Sequence, residues 1–213
     1  MGTHTRNQTL GEELANAISH GVGFVAAVVA IPALIASAAR RPGAGFLVGV
    51  SVFAGSVAFL YLGSTLYHAL PRGRAKRVFQ IIEHSAIFLL IAGTYTPFAL
   101  GALRGAWGWS LIAIVWGLAT LGVLLKTLGK AKHPVLSMIL YLGMGWLMVV
   151  AVAPLRQHVP VQGLRWLVAG GLAYTAGVGF YAAKRLPYGH FVWHLFVLIG
   201  TSCHYMAVRF YAA

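Results

Sequence analysis

Seven apolar segments dominate the chain, and short polar segments separate them. The apolar segments lie at residues 17–39, 46–70, 79–101, 106–125, 134–154, 166–183 and 190–210. A helix needs about 20 largely apolar residues to cross a bilayer, and each of these segments is close to that length. Long unbroken apolar runs favour helices over barrel strands, in which apolar and polar residues alternate. The pattern predicts an all-α, polytopic membrane protein whose fold is a bundle of seven transmembrane helices.

The composition supports this interpretation and indicates a single membrane domain. Of the 213 residues 59% are hydrophobic and only 9% are charged, whereas a soluble domain of this size needs far more polar surface. We expect a polar amino-terminal segment at residues 1–16 and a transmembrane domain at 17–213. Because the first segment is polar and contains two glutamates, we expect no cleavable signal peptide, and the first span should direct insertion.

The basic residues predict how the chain is oriented in the membrane. The net charge is +13, but the lysines and arginines occur in short clusters between apolar runs, which argues against a nucleic-acid partner. With the amino terminus inside, ten of the sixteen basic residues fall in cytoplasmic segments. The bias predicts a protein of the cell (inner) membrane with a cytoplasmic amino terminus and an external carboxyl terminus.

Ionisable residues within the predicted spans are few, and they reach the same depth. Glu83 is the only carboxylate inside a predicted span and lies near the start of the third. His68 ends the second span, and His190 and His194 open the seventh. Because charged groups are costly to insert into a bilayer, each one that is present there suggests a function.

The spacing of these histidines is typical of a metal site. His190 and His194 are four residues apart, so on a helix both imidazoles share one face, about 6 Å apart along the axis. A third nitrogen from His68 would complete a three-histidine site with one open position, the pattern of catalytic Zn²⁺. Ser64 precedes His68 by one turn, where its hydroxyl can bond the imidazole, the water or a substrate. Glu83 can accept a proton from that water. The alternative is that these histidines only hydrogen-bond neighbouring helices.

The remaining histidines have other predicted roles. His204 lies about 15 Å beyond His194 along a helix, so we expect it to hydrogen-bond a neighbouring helix instead of sharing an ion. His20 and Asn16, four apart near the start of the first span, can support the ligands or simply pack. His84 neighbours Glu83 but points about 100° away. Loop histidines without an assigned role are His4, His133 and His158.

Four motifs resemble those of the bacterial hemolysin III family. This family forms one superfamily of seven-span proteins with the progestin and adipoQ receptors and the alkaline ceramidases. The resemblance covers nearly the whole chain. It rests on EELANAISHGVG at 12–23, GSTLYH at 63–68, IIEHSAIFLLIAGTYTP at 81–97 and GHFVWHLFVLIGTSCH at 189–204.

The resemblance implies an adiponectin-receptor-like fold and a defined set of zinc ligands. The family's S-x3-H motif matches Ser64 and His68, and its H-x3-H motif matches His190 and His194. The three histidines would be the ligands. The family's nearby carboxylate is usually Asp, and Glu83 takes that place here. The resemblance also implies a cytoplasmic amino terminus, in agreement with the charge count.

These features lead to a hypothesis of zinc-dependent hydrolysis of a lipid amide. Glu83 would act as general base and Ser64 would assist, on a substrate that enters from the bilayer. Two other functions stay open: a cytolytic pore or channel, and a regulator of membrane fluidity or energetics in which zinc is structural. The seventh segment has no lysine for a Schiff base, which argues against a retinal pigment. Bis-histidine haem ligation stays open, and an optical spectrum would test it.

The predicted orientation can be tested by labelling introduced cysteines. A cysteine in the loop at 71–78 should react only with reagents that reach the cytoplasm, and one at the carboxyl terminus should react from outside. Labelling of the 71–78 loop from the external side would invert the orientation and move the histidine cluster to the outer face.

Overall fold

The computed structural model describes residues 8–129 and 134–213, and every regular element in them is helical. His4 and His133 lie outside these residues, as do Arg6, Lys130 and Lys132. The α-helices are α1 (Leu10–Ala39), α2 (Ala44–Ala69), α3 (Arg74–Leu100), α4 (Ala106–Thr127), α5 (Pro134–Trp146), α6 (Val152–His158), α7 (Val161–Ala182) and α8 (Gly189–Tyr211). A short 3₁₀ turn, Leu147–Val149, separates α5 from α6. The predicted all-α class is confirmed.

Five of the described helices, α1, α2, α3, α4 and α8, are long and apolar enough to cross a membrane. Large apolar side chains face outward from them; Val29 on α1, for example, is 73% exposed. The predicted span at 166–183 corresponds to α7, which has 22 residues and is glycine-rich, but it is not among these five helices. The polytopic membrane bundle is therefore confirmed, whereas the number of seven spans stays a prediction.

The segment predicted as one span at 134–154 is not a continuous helix: it is interrupted between α5 and α6. Val135–Val149 and Val152–His158 meet at an angle of 51°, which gives a broken sixth span or a re-entrant loop. Tyr95 on α3 supports the break: its hydroxyl donates to the carbonyl of Met144 at 2.7 Å and accepts from the Met148 amide at 2.9 Å. Backbone groups released where a helix breaks need such partners away from water.

The helices pack as a closed bundle in which α1 contacts both α2 and α8. From α2 the packing continues through α3 and α4 to α5, and α5 leads through α7 back to α8. The fully buried side chains at the centre include Phe53, Phe88, Phe98 and Val115. This closure brings the end of α2 and the start of α8, which are far apart in sequence, to the same end of the bundle.

The first helix begins at Leu10, seven residues before the apolar segment at 17–39. The cause is a capping box: the Thr9 hydroxyl accepts from the Glu12 amide at 3.3 Å, and the Glu12 carboxylate accepts from the Thr9 amide at 2.8 Å. The T-x-x-E pattern is a known start signal for helices. Residues 10–16 are thus part of α1, and they place Glu13 and Asn16 at the end of the bundle.

The close approach of α2 to α3 yields a stability prediction. A Cβ atom on Gly49 would lie 2.8 Å from Pro97 Cα and 2.9 Å from the Thr96 carbonyl oxygen. Both neighbours are backbone atoms, so the helices would have to separate, at a cost of about 1–3 kcal/mol. Gly49→Ala should lower the unfolding temperature of the detergent-purified protein. Gly55→Ala on the same helix meets no atom within 4 Å and should leave it unchanged; equal effects would contradict the packing argument.

Candidate metal centre

One end of the bundle brings together the first turns of α1, the end of α2, the start of α3 and the start of α8. The start of α8 is fixed by Tyr188, which adopts the left-handed conformation with φ of 56°. The Tyr188 amide donates to Oε1 of Glu12 at 2.8 Å, and this bond holds the α7–α8 loop against α1. As a result, His190 and His194 face α2 across the interior of the bundle.

The three predicted ligand histidines form a compact triangle. The ring centroid of His68 lies 5.1 Å from that of His190 and 5.1 Å from that of His194. The centroids of His190 and His194 are 4.7 Å apart. With Glu83 they make a group in which one ligand atom from each residue lies within 4.8 Å of the others. His68, His194 and Glu83 are buried, and His190 is partly buried. The group can hold a metal ion.

The Nδ1 atoms of His68 and His194 each face an acceptor on α1. Nδ1 of His68 lies 2.7 Å from Oε2 of Glu13, and a carboxylate can only accept, so this nitrogen donates. Nδ1 of His194 lies 3.2 Å from the carbonyl oxygen of Asn16, which is also an acceptor. Both imidazoles therefore donate from Nδ1, and each keeps a lone pair on Nε2. Ligand histidines of metalloproteins are commonly oriented in this way.

The Nε2 atoms of the three histidines indicate whether a metal ion fits the group. Nε2 of His68, of His190 and of His194 is in each case buried and has no hydrogen-bond partner. Oε1 of Glu83 lies 3.5 Å from Nε2 of His68, so two acceptor atoms face each other. Buried polar atoms without a partner are costly, and a cation shared by the three nitrogens would relieve all three at once. The donor set thus fits a divalent metal ion.

Ser64 has a more specific position than its spacing predicted. Its hydroxyl, expected to bond the imidazole, the water or a substrate, instead donates to Oε1 of Glu83 at 2.9 Å. Ser64 is completely buried in α2, so this bond also ties α2 to α3. The geometry makes Ser64 a group that orients the carboxylate.

Glu13 was not among the predicted site residues, although it contacts His68 directly. It was overlooked because it precedes the apolar segment at 17–39. The capping box at Thr9 and Glu12 would have extended the helix back over it. On that helix Glu13, Asn16 and His20 follow at intervals of three and four residues and share one face.

The other histidines behave largely as their positions indicated. The His20 ring stacks on that of His194 with 3.6 Å between centroids, and both His20 nitrogens are buried without a partner. Nε2 of His204 pairs with the carbonyl oxygen of Leu167 on α7 at 3.3 Å, which confirms the expected bond between helices. Nδ1 of His84 lies 2.6 Å from the Gln80 carbonyl oxygen but also 3.6 Å from Oε2 of Glu83, so its ring is closer to that carboxylate than the expected 100° separation indicated. His158 is exposed, as expected, but it is the last residue of α6 and not a loop residue.

A small cavity of about 60 Å³ leads to this group from the α7–α8 loop. It reaches Asn16 and His190, and Tyr188 and Lys184 lie on its walls. Its volume suits a few water molecules, so it provides the centre with contact to water.

Comparison with known proteins agrees with these observations. The family model "Haemolysin-III related" matches residues 8–205. The hemolysin-3 homolog of Bacillus subtilis (strain 168) is 43% identical over 203 residues, which are 95% of each chain. Hemolysin-3 of Bacillus cereus is 42% identical over 204 residues, 96% of this chain and 93% of that protein.

A more distant relative is the human monocyte to macrophage differentiation factor. It is 28% identical over 159 residues, which are 70% of this chain and 64% of that protein. No solved structure matches the chain significantly. The family match and the two Bacillus relatives both extend over almost the full length, so the chain is a multi-pass membrane protein that belongs to the haemolysin III family.

Proposed function

We propose that this protein is a zinc-dependent membrane hydrolase that acts on the amide bond of a lipid. One observation carries the proposal: three imidazole nitrogens and one carboxylate oxygen converge at the end of the bundle, and the nitrogens have no donor. His68, His190 and His194 would be the ligands.

The donor set favours zinc over harder cations. Imidazole nitrogens suit zinc and other late first-row metals, whereas calcium and magnesium prefer oxygen ligands. Three histidines leave one coordination position open, as in catalytic zinc sites. When bound, zinc would supply a Lewis acid for the acyl carbonyl.

Glu83 is the proposed general base. Its carboxylate lies beside the histidine cluster, and Ser64 holds one of its oxygens. It would take a proton from the attacking water and return it to the leaving amine. Glutamate, one methylene longer than the aspartate usual in the family, still reaches the cluster from α3.

The membrane setting supports a lipid amide as substrate, and so does the resemblance to the hemolysin III family, whose superfamily includes the alkaline ceramidases. The exposed apolar faces of the helices contact membrane lipids, so a lipid can reach the bundle from the side. We also propose that the centre lies at the cytoplasmic face, because the loop charges favour a cytoplasmic amino terminus.

The names of the Bacillus relatives suggest a second candidate, a lytic pore. A pore needs polar groups along its full length. The three carboxylates of the chain, Glu12, Glu13 and Glu83, all lie near the metal centre at one end of the bundle. This distribution favours a site at one face over a continuous path through a single chain.

Metal analysis tests the ligand assignment. Purified protein should contain about one zinc ion per chain, as expected for one three-histidine site. Alanine in place of His68, His190 or His194 should remove most of the zinc, because two nitrogens remain. His158→Ala, at an exposed position, is the matched control and should keep the metal. Unchanged metal content in all three ligand variants would refute the site.

Substitution of Glu83 distinguishes a catalytic from a structural zinc. Glu83→Gln preserves size but removes charge and basicity, so hydrolysis of a ceramide-like amide should fall by a factor of about 10² to 10⁴ while zinc is retained. Ser64→Ala leaves the carboxylate in place and should cause a smaller loss.

Two outcomes would change this assignment. Full activity of Glu83→Gln, in a lipid hydrolysis or membrane-energetics assay to which the wild type responds, would make zinc structural. Loss of zinc together with activity would make Glu83 a fourth ligand.

A further inference from the structure

A second and larger cavity, of about 180 Å³, lies beside the loop between α2 and α3. Six residues line it, of which three are basic and none is acidic. They are Tyr67, Arg72, Gly73, Lys76, Arg77 and Gln80. A space of this volume is large enough for a group of several heavy atoms, since a water molecule needs only about 10–15 Å³.

Lys76 lies on the wall of this cavity, and its partners are already in place. Its ammonium group donates to the carbonyl oxygens of Tyr67 at 3.0 Å and Leu70 at 3.2 Å, and it pairs with Oε1 of Glu13 at 3.0 Å. An ammonium group has three hydrogens, and these three partners use all of them. Because the Glu13 carboxylate offsets its charge, Lys76 helps to form the wall of the cavity but is not a group that binds the ligand.

Arg72 and Arg77 have free hydrogen-bonding capacity. Within residues 8–129 and 134–213 neither guanidinium has a hydrogen-bond or ion-pair partner, and both side chains are exposed. A guanidinium presents its N–H groups in a planar fork that matches the oxygens of a phosphate. The Tyr67 hydroxyl accepts from Gln80 at 3.2 Å, so its own hydrogen is available as a donor.

The position of the cavity indicates the source of the anion. The loop joins two membrane-crossing helices, so its residues lie at the level of the lipid headgroups. Basic pockets at this level attract anionic lipids, and each cation contributes about 1 kcal/mol. We propose that Arg72, Arg77 and Tyr67 bind the phosphate of an anionic phospholipid headgroup.

The experiment measures lipid retention by the full-length protein in detergent, using native mass spectrometry. Wild-type protein should retain one phosphatidylglycerol molecule more tightly than phosphatidylcholine, whose choline offsets the phosphate charge. Arg72→Gln and Arg77→Gln should each weaken retention of phosphatidylglycerol about fivefold, from about 1 kcal/mol per cation. Arg74→Gln removes the same charge at the first residue of α3, next to the loop. Arg74 does not line the cavity, so this control variant loses only general surface attraction and should weaken retention clearly less than Arg72→Gln or Arg77→Gln.

Three results would overturn the proposal. Equal weakening by all three arginine variants would indicate general attraction to a basic loop, and equal retention of the two lipids would exclude headgroup selection. Binding of inorganic phosphate as tight as that of phosphatidylglycerol would assign the cavity to a free anion. The exposed arginine variants should unfold at the wild-type temperature. His190→Ala should retain phosphatidylglycerol, since this cavity does not depend on the metal.

Discussion

Burial of unpaired acceptor atoms is the constraint on which the end of the bundle depends. Three imidazole nitrogens and a carboxylate oxygen share a space that is largely closed to water. Each of the nitrogens would be costly to bury alone, because an unsatisfied polar group loses its hydration without compensation. The carboxylate oxygen already accepts a hydrogen bond from Ser64. A bound cation would attract all of these atoms, and it would therefore hold α2, α3 and α8 together. The fold and the proposed chemistry therefore depend on the same few atoms.

The first helix has a supporting role in this arrangement. Its extension to Leu10 places Glu13 and Asn16 behind two of the histidines, and their acceptor atoms direct the imidazole lone pairs inward. Glu12 holds the start of α8 in place. A polar segment before the first apolar run thus orients ligands that other helices contribute.

Much of the fold and the site could be predicted from the sequence because both depend on spacing along helices. Apolar length located the helices, and the four-residue interval placed His190 and His194 on one face. The hydrogen bond of His204 to a neighbouring helix followed from its depth. The break after Trp146 could not be predicted, because it depends on Tyr95, a partner distant in sequence. The bond between Ser64 and Glu83 likewise depends on how α2 and α3 pack, which no single segment specifies.

The residues of the candidate centre are divided between two closely packed helix pairs, which α1 joins. Ser64, His68 and Glu83 belong to the α2–α3 pair, in which Gly49 allows backbone contact, whereas His190 and His194 belong to α8, which packs on α7. Distances within each pair are set by close packing and change little. Distances between the pairs depend on relative tilt, which helices adjust to bilayer thickness. A bilayer of different thickness that changed this relative tilt would therefore change the distance from His68 to the two histidines of α8.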